Sequence, residues 1–397
     1  MKSPTLLLKT LFVTACLACG MNAGAYDIEY DGFYFNIIGD NEVEVTYKDT
    51  NYNSYSGDLS IPSWVRDADN NIYDVVAIGP SAFKDCNNLY YITIPSTVRS
   101  ITGFPFENCI SLSGVYIFDI KAWCEINFDN TAANNPIIYC QQLFLNGQPV
   151  TDLVIPEGTN YISSMAFQNC HTITSVTIPG SVTSIGWGAF ANCLNMKTLS
   201  IGSGVTFIDG HAFASDKKIE TIICNASNPP ALASSNVFST EAYENAKLMV
   251  PESSLSAYQE ADFWQDFSNI SAKTFDFYSD GFYYIFEGPD VVGVTWQGSG
   301  NTYSGYVKIP ETVTYEGTTY TVTKIEANTF TCCENLTGVS IPATVMSVYY
   351  GFFNNQATGL TRIECLAIQP PYGMFDMTAD QYASILSIAF DKAFYHK

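Results

Sequence analysis

The chain has 397 residues, 47 % of them hydrophobic and 14 % aromatic, which excludes a disordered polypeptide, and only 14 % are charged. Its formal charge of −22 repels phosphate backbones and offers no basic patch to anionic lipid, so no nucleic-acid partner is expected.

The N-terminus reads as an export signal. Lys2 and Lys9 flank an apolar run from Leu6 to Val13, and the segment closes on Ala23, Gly24 and Ala25, the small-x-small pattern that a signal peptidase accepts. Cleavage there removes residues 1–25 and leaves Tyr26 first in the mature chain. A second route is lipid attachment at Cys16, because Val13, Thr14, Ala15 and Cys16 resemble a lipoprotein processing site. No later stretch supplies about 18 consecutive apolar residues, so no transmembrane span is expected.

After Tyr26 comes an opening segment rich in β alternation and turn residues, and it occurs twice. Asp31, Gly32, Phe33, Tyr34 and Phe35 return as Asp280, Gly281, Phe282, Tyr283 and Tyr284, an offset of 249. Tyr55, Ser56 and Gly57 return as Tyr303, Ser304 and Gly305 at 248, and Phe83 matches Phe330 at 247. Each copy precedes a regular repeat, where a stack of strands needs a cover for its first open edge.

The repeat has a period of 23. Phe83 and Phe106 keep it, then Phe167, Phe190 and Phe213, then Phe330 and Phe353. Cys86 steps to Cys109, and Cys170 to Cys193, by the same interval. Ile173, Val176 and Ile178 predict a short strand with Thr177 turned outward, and Pro179 ends it because proline cannot donate to a ladder. Ala189 and Phe190 fill the opposite side, and Cys193 is a small buried side chain where the path turns back. One such turn of chain cannot bury its own apolar face. Stacking successive turns at about 4.8 Å completes a shared core, and the expected fold class is a β-rich solenoid of parallel strands with short turns and helical pieces.

Between Phe106 and Phe167 the interval is 61, where two periods would give 46. This stretch holds Trp123, Cys124, Phe128 and an expected hairpin at Leu143, Phe144, Leu145, Asn146 and Gly147, and reads as one or two long bulging turns. Farther on, Ser253 to Phe267 predicts a helix capped by Ser253 or Ser254, with Leu255, Tyr258 and Trp264 facing in. Cys224 with Pro229 and Pro230 matches Cys365 with Pro370 and Pro371, so the closing segment also occurs twice. The boundary falls near Lys273. Residues 26–273 form a first array with caps at both ends, and 274–397 a second, shorter array.

The Ala-Phe-x-x-Cys-x-x-Leu unit and the Val-x-Ile-Pro strand closely resemble the BspA-type leucine-rich-repeat family of exported bacterial proteins. The opening from Tyr26 and Asp27 to Val43, Glu44, Val45 and Thr46, and the closing run Ser254 to Tyr258, resemble that family's flanking segments. The resemblance covers nearly all of the mature chain. It implies a right-handed leucine-rich-repeat solenoid at the cell surface or outside it, with members acting as adhesins toward host proteins or other cells. It carries over no catalytic residues. Departures fall at Phe118 to Val150, at Gly202 in place of Pro, and in the shortened final segment.

Chemistry-bearing motifs are scarce, so neither an enzyme activity nor a cofactor is expected. His171, His211 and His396 share no register, since the first two differ by 40. Cys170 next to His171 suggests a thiol–imidazole pair, but Cys170 holds the buried structural position. Asp67, Asp69, Asn70 and Asn71 alternate oxygens as calcium ligands do. Ile72 stands where such a loop needs Gly and Ile78 where it needs a bidentate Glu, so a polar hairpin turn is read and no metal is assigned. The ladder cysteines are expected as buried free thiols, because parallel stacking points their side chains the same way. Cys332 and Cys333 read as one ladder member with a neighbour.

Outward strand positions Tyr91, Thr93, Tyr116, Ser175, Thr177, Thr198, Ser200 and Thr221 would form one continuous face, mostly hydroxyls with two tyrosines at one end. That face is the candidate ligand-binding surface, although outward Thr and Ser are also what any solvated strand prefers. The expected function is an exported, non-catalytic binding protein for adhesion or host and cell-surface protein interaction, its partner a protein ligand on another cell or matrix. The alternative is a surface glycan-capture module of a carbohydrate-uptake system, favoured by Tyr91 and Tyr116.

Overall fold

The computed structural model describes residues 26–129, 131–288, 290–296, 303–315, 317–331, 333–349 and 360–366, and the backbone of 387–390. The leader with Cys16, and also Cys332, Phe353, Pro370, Pro371 and His396, lie outside the described residues.

The opening segment is an antiparallel meander of Ile28–Tyr30, Phe33–Gly39 and Glu42–Thr46. Its last strand pairs in parallel with Ile72–Ile78, which also holds Trp64–Arg66 antiparallel on its other side. From there the direction of pairing changes. Gly57–Ser60, Leu89–Thr93, Gly114–Ile117 and Leu143–Leu145 run parallel in one sheet. Asp152–Val154, Ser175–Thr177, Thr198–Ile201, Thr221–Cys224, Lys247–Val250 and Asn269–Ala272 run parallel in the next.

The 23-residue period is the register step of the sheet. Asp152 pairs with Ser175, Ser175 with Thr198 and Thr198 with Thr221, each 23 residues on. Val176, Leu199 and Ile222 turn inward and are buried. On the far side of the core the phenylalanines form a column. Phe167 and Phe190 stack at 5.2 Å, Phe190 and Phe213 at 5.4 Å, and Phe213 and Phe238 at 5.2 Å, with ring planes within 9°. Phe83 and Phe106 stack the same way at 5.1 Å. Burial of each ring stabilises by about 1.5–3 kcal/mol, to which stacking adds about 0.5–1.5.

Sharp corners let each turn of chain close on itself. The residue before each of the ladder cysteines 86, 109, 170 and 193 is left-handed: Asp85 at φ 59°, Asn108 at 61°, Asn169 at 62° and Asn192 at 62°. Asn and Asp tolerate this region far better than other L-residues. The cysteines behind them are buried and free. Cys109 Sγ donates to the Phe83 carbonyl at 3.1 Å and Cys193 Sγ to the Phe167 carbonyl at 3.3 Å, so each thiol ties its repeat to the preceding one. Burial pushes the Cys109 thiol up to about 12. One period after Cys193 the position is Asp216, fully buried, and among the described residues neither of its carboxylate oxygens receives a well-formed hydrogen bond.

The irregular stretch folds as short helices packed on the stack. Asp119 caps the helix Ile120–Cys124 by accepting from the Ala122 amide, and buried Trp123 donates Nε1–H to the Ala166 carbonyl at 2.8 Å. The expected hairpin is present: Leu143–Leu145 pairs antiparallel with Gln148–Pro149 across Asn146 and Gly147, whose φ values are 50° and 81°. The closing helix is shorter than the sequence pattern suggests. It spans Leu255–Glu260, preceded by a single 3-10 turn, and Ser254 donates to the Ser227 carbonyl instead of capping. Tyr258 and Trp264 are buried as expected, but Trp264 lies beyond the helix.

A second core starts at Phe277 and repeats the strand order of the first opening. Phe277–Ser279, Phe282–Phe286, Val291–Thr295, Thr318–Ile325 and Thr312–Tyr315 stand in for the five strands above. Gly305–Lys308, Leu336–Ile341, Arg362–Cys365 and Ser387–Phe390 then run parallel. The two halves touch. Phe275 packs against Ile223 and Met249 on the outward face of the six-stranded sheet, with Tyr278 and Tyr283 beside it.

Candidate functional site

Strand alternation explains the most conspicuous surface. In the five-stranded sheet Ile92, Val115 and Leu143 turn inward, which sends Tyr91, Thr93, Tyr116 and Phe144 outward. Register places Tyr116 opposite Thr93 on one side and Phe144 on the other. The rings of Tyr116 and Phe144 stack at 4.6 Å with planes 13° apart, and Tyr91 meets Tyr116 edge-on at 5.6 Å. Room for this ladder comes from Gly114: a Cβ there would lie 2.7 Å from the Phe144 ring and 3.2 Å from that of Tyr91. All three rings are half-buried. Tyr116 is flanked on both sides by aromatic neighbours, so a ligand meets ring edges and hydroxyls rather than open ring faces.

Ser175, Thr177, Thr198 and Ser200 belong to the other sheet, so the expected single face is divided in two. The physical reason is the hairpin: Gln148–Pro149 runs antiparallel along the edge of Leu143–Leu145 before Asp152–Val154 opens the next sheet. Ser175, Thr177 and Thr198 are half-buried, and Ser175 Oγ donates to Asp152 Oδ1 at 2.6 Å. Ser200 is only 5 % exposed. Its register partner is Ile223, the residue covered by Phe275. The polar face therefore narrows toward its C-terminal side.

Gly114 and Asp152 were not singled out from sequence, and Phe144 was read there as part of a hairpin and not of the candidate surface. The alternation of Leu143, Phe144 and Leu145 held the signal for Phe144. An outward aromatic beside Tyr116 follows once that segment pairs in parallel with Gly114–Ile117. The second half has an analogous cluster, where Tyr306 donates to Glu364 Oε2 at 2.6 Å and Arg362 lies 5.5 Å over its ring.

The other candidates resolve into structural roles. Cys170 Sγ lies 3.5 Å from Thr172 Oγ1, and burial raises the thiol's pKa and lowers that of His171. Asp67 closes a hairpin turn by accepting from the Asn71 side chain and from the amides of Asp69 and Asn71. Those bonds, Asn71's foremost, hold its carboxyl below the usual range. Among the described residues no group of three or more His, Cys, Asp or Glu is placed to hold a metal ion, and no helix is long and apolar enough to cross a membrane.

Comparison with known proteins follows the repeat. The BspA type leucine rich repeat region matches in six copies over residues 69–135, 137–263 and 307–368, well over half of the chain. A leucine-rich repeat protein from Bacteroides ovatus is similar at 21 % identity, over 92 % of this chain and 76 % of that one, with a TM-score of 0.32. A leucine rich cell surface protein from Faecalibacterium prausnitzii is similar at 19 % identity, over 92 % and 98 % of the two chains, with a TM-score of 0.36. The pneumococcal vaccine antigen PcpA is similar at 14 % identity, over 85 % and 71 %, with a TM-score of 0.29. No curated protein matches. The chain belongs to the BspA-type leucine-rich-repeat family.

Proposed function

We propose that the chain is an exported, non-catalytic binding protein whose role is adhesion to a protein on another cell or matrix. In this reading residues 1–25 are an export leader. Residues 26–273 and 274–397 are two tandem capped arrays of a right-handed solenoid. The ligand surface is centred on Tyr91, Thr93 and Tyr116, with Ser175, Thr177, Thr198 and Ser200 beyond the hairpin. One observation carries it: the ladder of Tyr91, Tyr116 and Phe144 stands on the outside of a sheet whose core is already complete. Rigid aromatics with polar tips give large contact area at low entropic cost, which is what an interface anchor requires.

The same rings support the alternative, a glycan-capture surface. The protein reading is favoured because both sides of Tyr116 are already in aromatic contact. The test is binding of the chain from Tyr26 to Lys397 to immobilised matrix proteins and, in parallel, to a glycan array. Tyr91→Ala with Tyr116→Ala should weaken protein capture at least tenfold, about 1.4 kcal/mol or more. Saturable binding confined to glycans would reverse the choice.

A further inference from the structure

The short strands Tyr161–Ile162, Ser184–Ile185 and Phe207–Ile208 run parallel, with Tyr161, Ser184 and Phe207 in register. Ile162, Ile185 and Ile208 are buried, so Tyr161, Ser184 and Phe207 turn outward, as do Ser163, Gly186 and Asp209 two residues on. The middle rung thus presents only a serine and a glycine between two rungs that each carry a ring. Gly186 is required there, since a Cβ would lie 2.5 Å from the Ser164 backbone nitrogen. The result is a notch of about 390 Å³, lined by Tyr161 and Phe207 with Glu125 and Asp209. The two rings are 44 % and 39 % exposed, large apolar groups held in water beside unfilled space.

The charge around the notch is one-sided. Among the described residues lining it there is no Lys, Arg or His. Asp209 Oδ1 accepts the Gly210 amide at 2.7 Å, and neither Glu125 nor Asp209 is in an ion pair among the described residues. With rungs about 4.8 Å apart, the two ring-bearing rungs are about 10 Å apart, and a cation centred over Ser184 stands about 5 Å from each. That is inside the reach of about 6 Å for a cation over an aromatic ring.

We propose that this notch receives an Arg or Lys side chain from an extended basic segment of a partner protein, the cation seated between Tyr161 and Phe207 and paired with Asp209. Ser163 bonds the Cys124 carbonyl, so the Glu125 segment lies one rung before Tyr161 and about three rungs, roughly 14 Å, from Asp209. An extended strand advances about 3.4 Å per residue, so a second basic residue four positions along reaches Glu125. The net charge of −22 steers such a segment in. A neutral sugar could stack on the rings but would leave both carboxylates without a counter-charge. This inference rests on the protein-binding reading and deepens it, on a surface separate from the aromatic ladder.

The probe is a fluorescein-labelled peptide, Gly-Ser-Arg-Ser-Gly-Ser-Arg-Ser-Gly, titrated into the chain from Tyr26 to Lys397 at physiological salt. The same peptide with Glu at both Arg positions, and a neutral glucan oligosaccharide, run beside it. The Arg peptide is expected to bind and the other two not. Ser184→Trp fills the notch without changing charge and should weaken binding at least tenfold, Phe207→Ala and Asp209→Asn roughly threefold to tenfold each. Phe207 is on the surface, so Phe207→Ala tests the notch even should Ser184→Trp misfold. Asp58→Asn, an exposed acid in register with Tyr91 on the five-stranded sheet, should change nothing. The proposal is overturned if the Arg peptide does not bind, if Asp58→Asn weakens it as much as Asp209→Asn, if folded notch variants bind normally, or if the glucan binds instead. Loss of matrix-protein capture by the Tyr91 and Tyr116 variant alone, with the notch variants unaffected, would overturn the notch and leave the protein-binding reading standing.

Discussion

Tyr55 and Tyr303 make the same two hydrogen bonds in separate cores. The Tyr55 hydroxyl donates to the Thr46 carbonyl at 2.5 Å and accepts the Tyr34 amide at 3.1 Å. Tyr303 donates to Thr295 at 2.5 Å and accepts Tyr283 at 3.2 Å. Each phenol thus joins the opening meander to the repeat behind it. Removing the hydroxyl takes this partner from the Thr46 or Thr295 carbonyl and from the Tyr34 or Tyr283 amide, so Tyr55→Phe and Tyr303→Phe should each cost roughly 1–3 kcal/mol in urea unfolding. As the sites are in different cores, the double variant should show the sum to within about 0.5 kcal/mol. Costs near zero would mean that these bonds are not holding the segments together.

Asp216 takes the ladder position that Cys193 and Cys170 occupy one and two periods earlier. Burial drives its carboxyl well above 3.8, and the nearby Cys193 amide offsets only part of that rise. A carboxylate whose folded pKa exceeds its unfolded one binds more protons when folded, so stability is lost as pH rises from about 3.8 through the raised value. Asp216→Cys, kept under reductant, should be more stable than the parent at pH 8 by roughly 1–3 kcal/mol, with the gap closing toward pH 3. A constant gap across that range would exclude the titration as its origin.

Glu326 carries a second such effect in the other core. Burial, then the Glu287 charge and its hydrogen bond, raise its pKa to about 7, against the pull of Lys324. Lys324 is ion-paired to Glu287. The folded state again holds the extra proton, so stability falls as pH rises between 4.5 and about 7. Melting temperatures of Glu326→Gln and the parent, taken at pH 5 and pH 8, should differ in slope, the variant losing less on going to pH 8. Parallel slopes would contradict the assignment.

The period, the phenylalanine column and the inward side of each strand were legible because spacing alone dictates them. Phe167, Phe190 and Phe213 could only stack if one period equals one rung. Other features depend on what a neighbouring turn of chain does. Gly202 reads in sequence as a lapse from proline, yet a Cβ there would lie 2.3 Å from the Pro179 backbone, so the adjacent turn demands it. Asp85, Asn108, Asn169 and Asn192 stand plainly in the sequence before Cys86, Cys109, Cys170 and Cys193, but the left-handed corner each supplies follows only from the turn that the backbone makes there. The candidate surface was legible position by position. Its division at the hairpin was not, since that depends on which edge Gln148–Pro149 occupies.

Phe275, Tyr278 and Tyr283 have a consequence for anything that approaches the six-stranded sheet. They are joined to its last strand by only the few residues after Ala272, so they are the sheet's resident occupant, held at an effective concentration on the order of millimolar. A visiting molecule that seeks Ser200 must displace this tethered competitor, whereas one that docks at Tyr116 meets no such rival from Phe275. The chain's own continuity thereby ranks its two polar faces by accessibility.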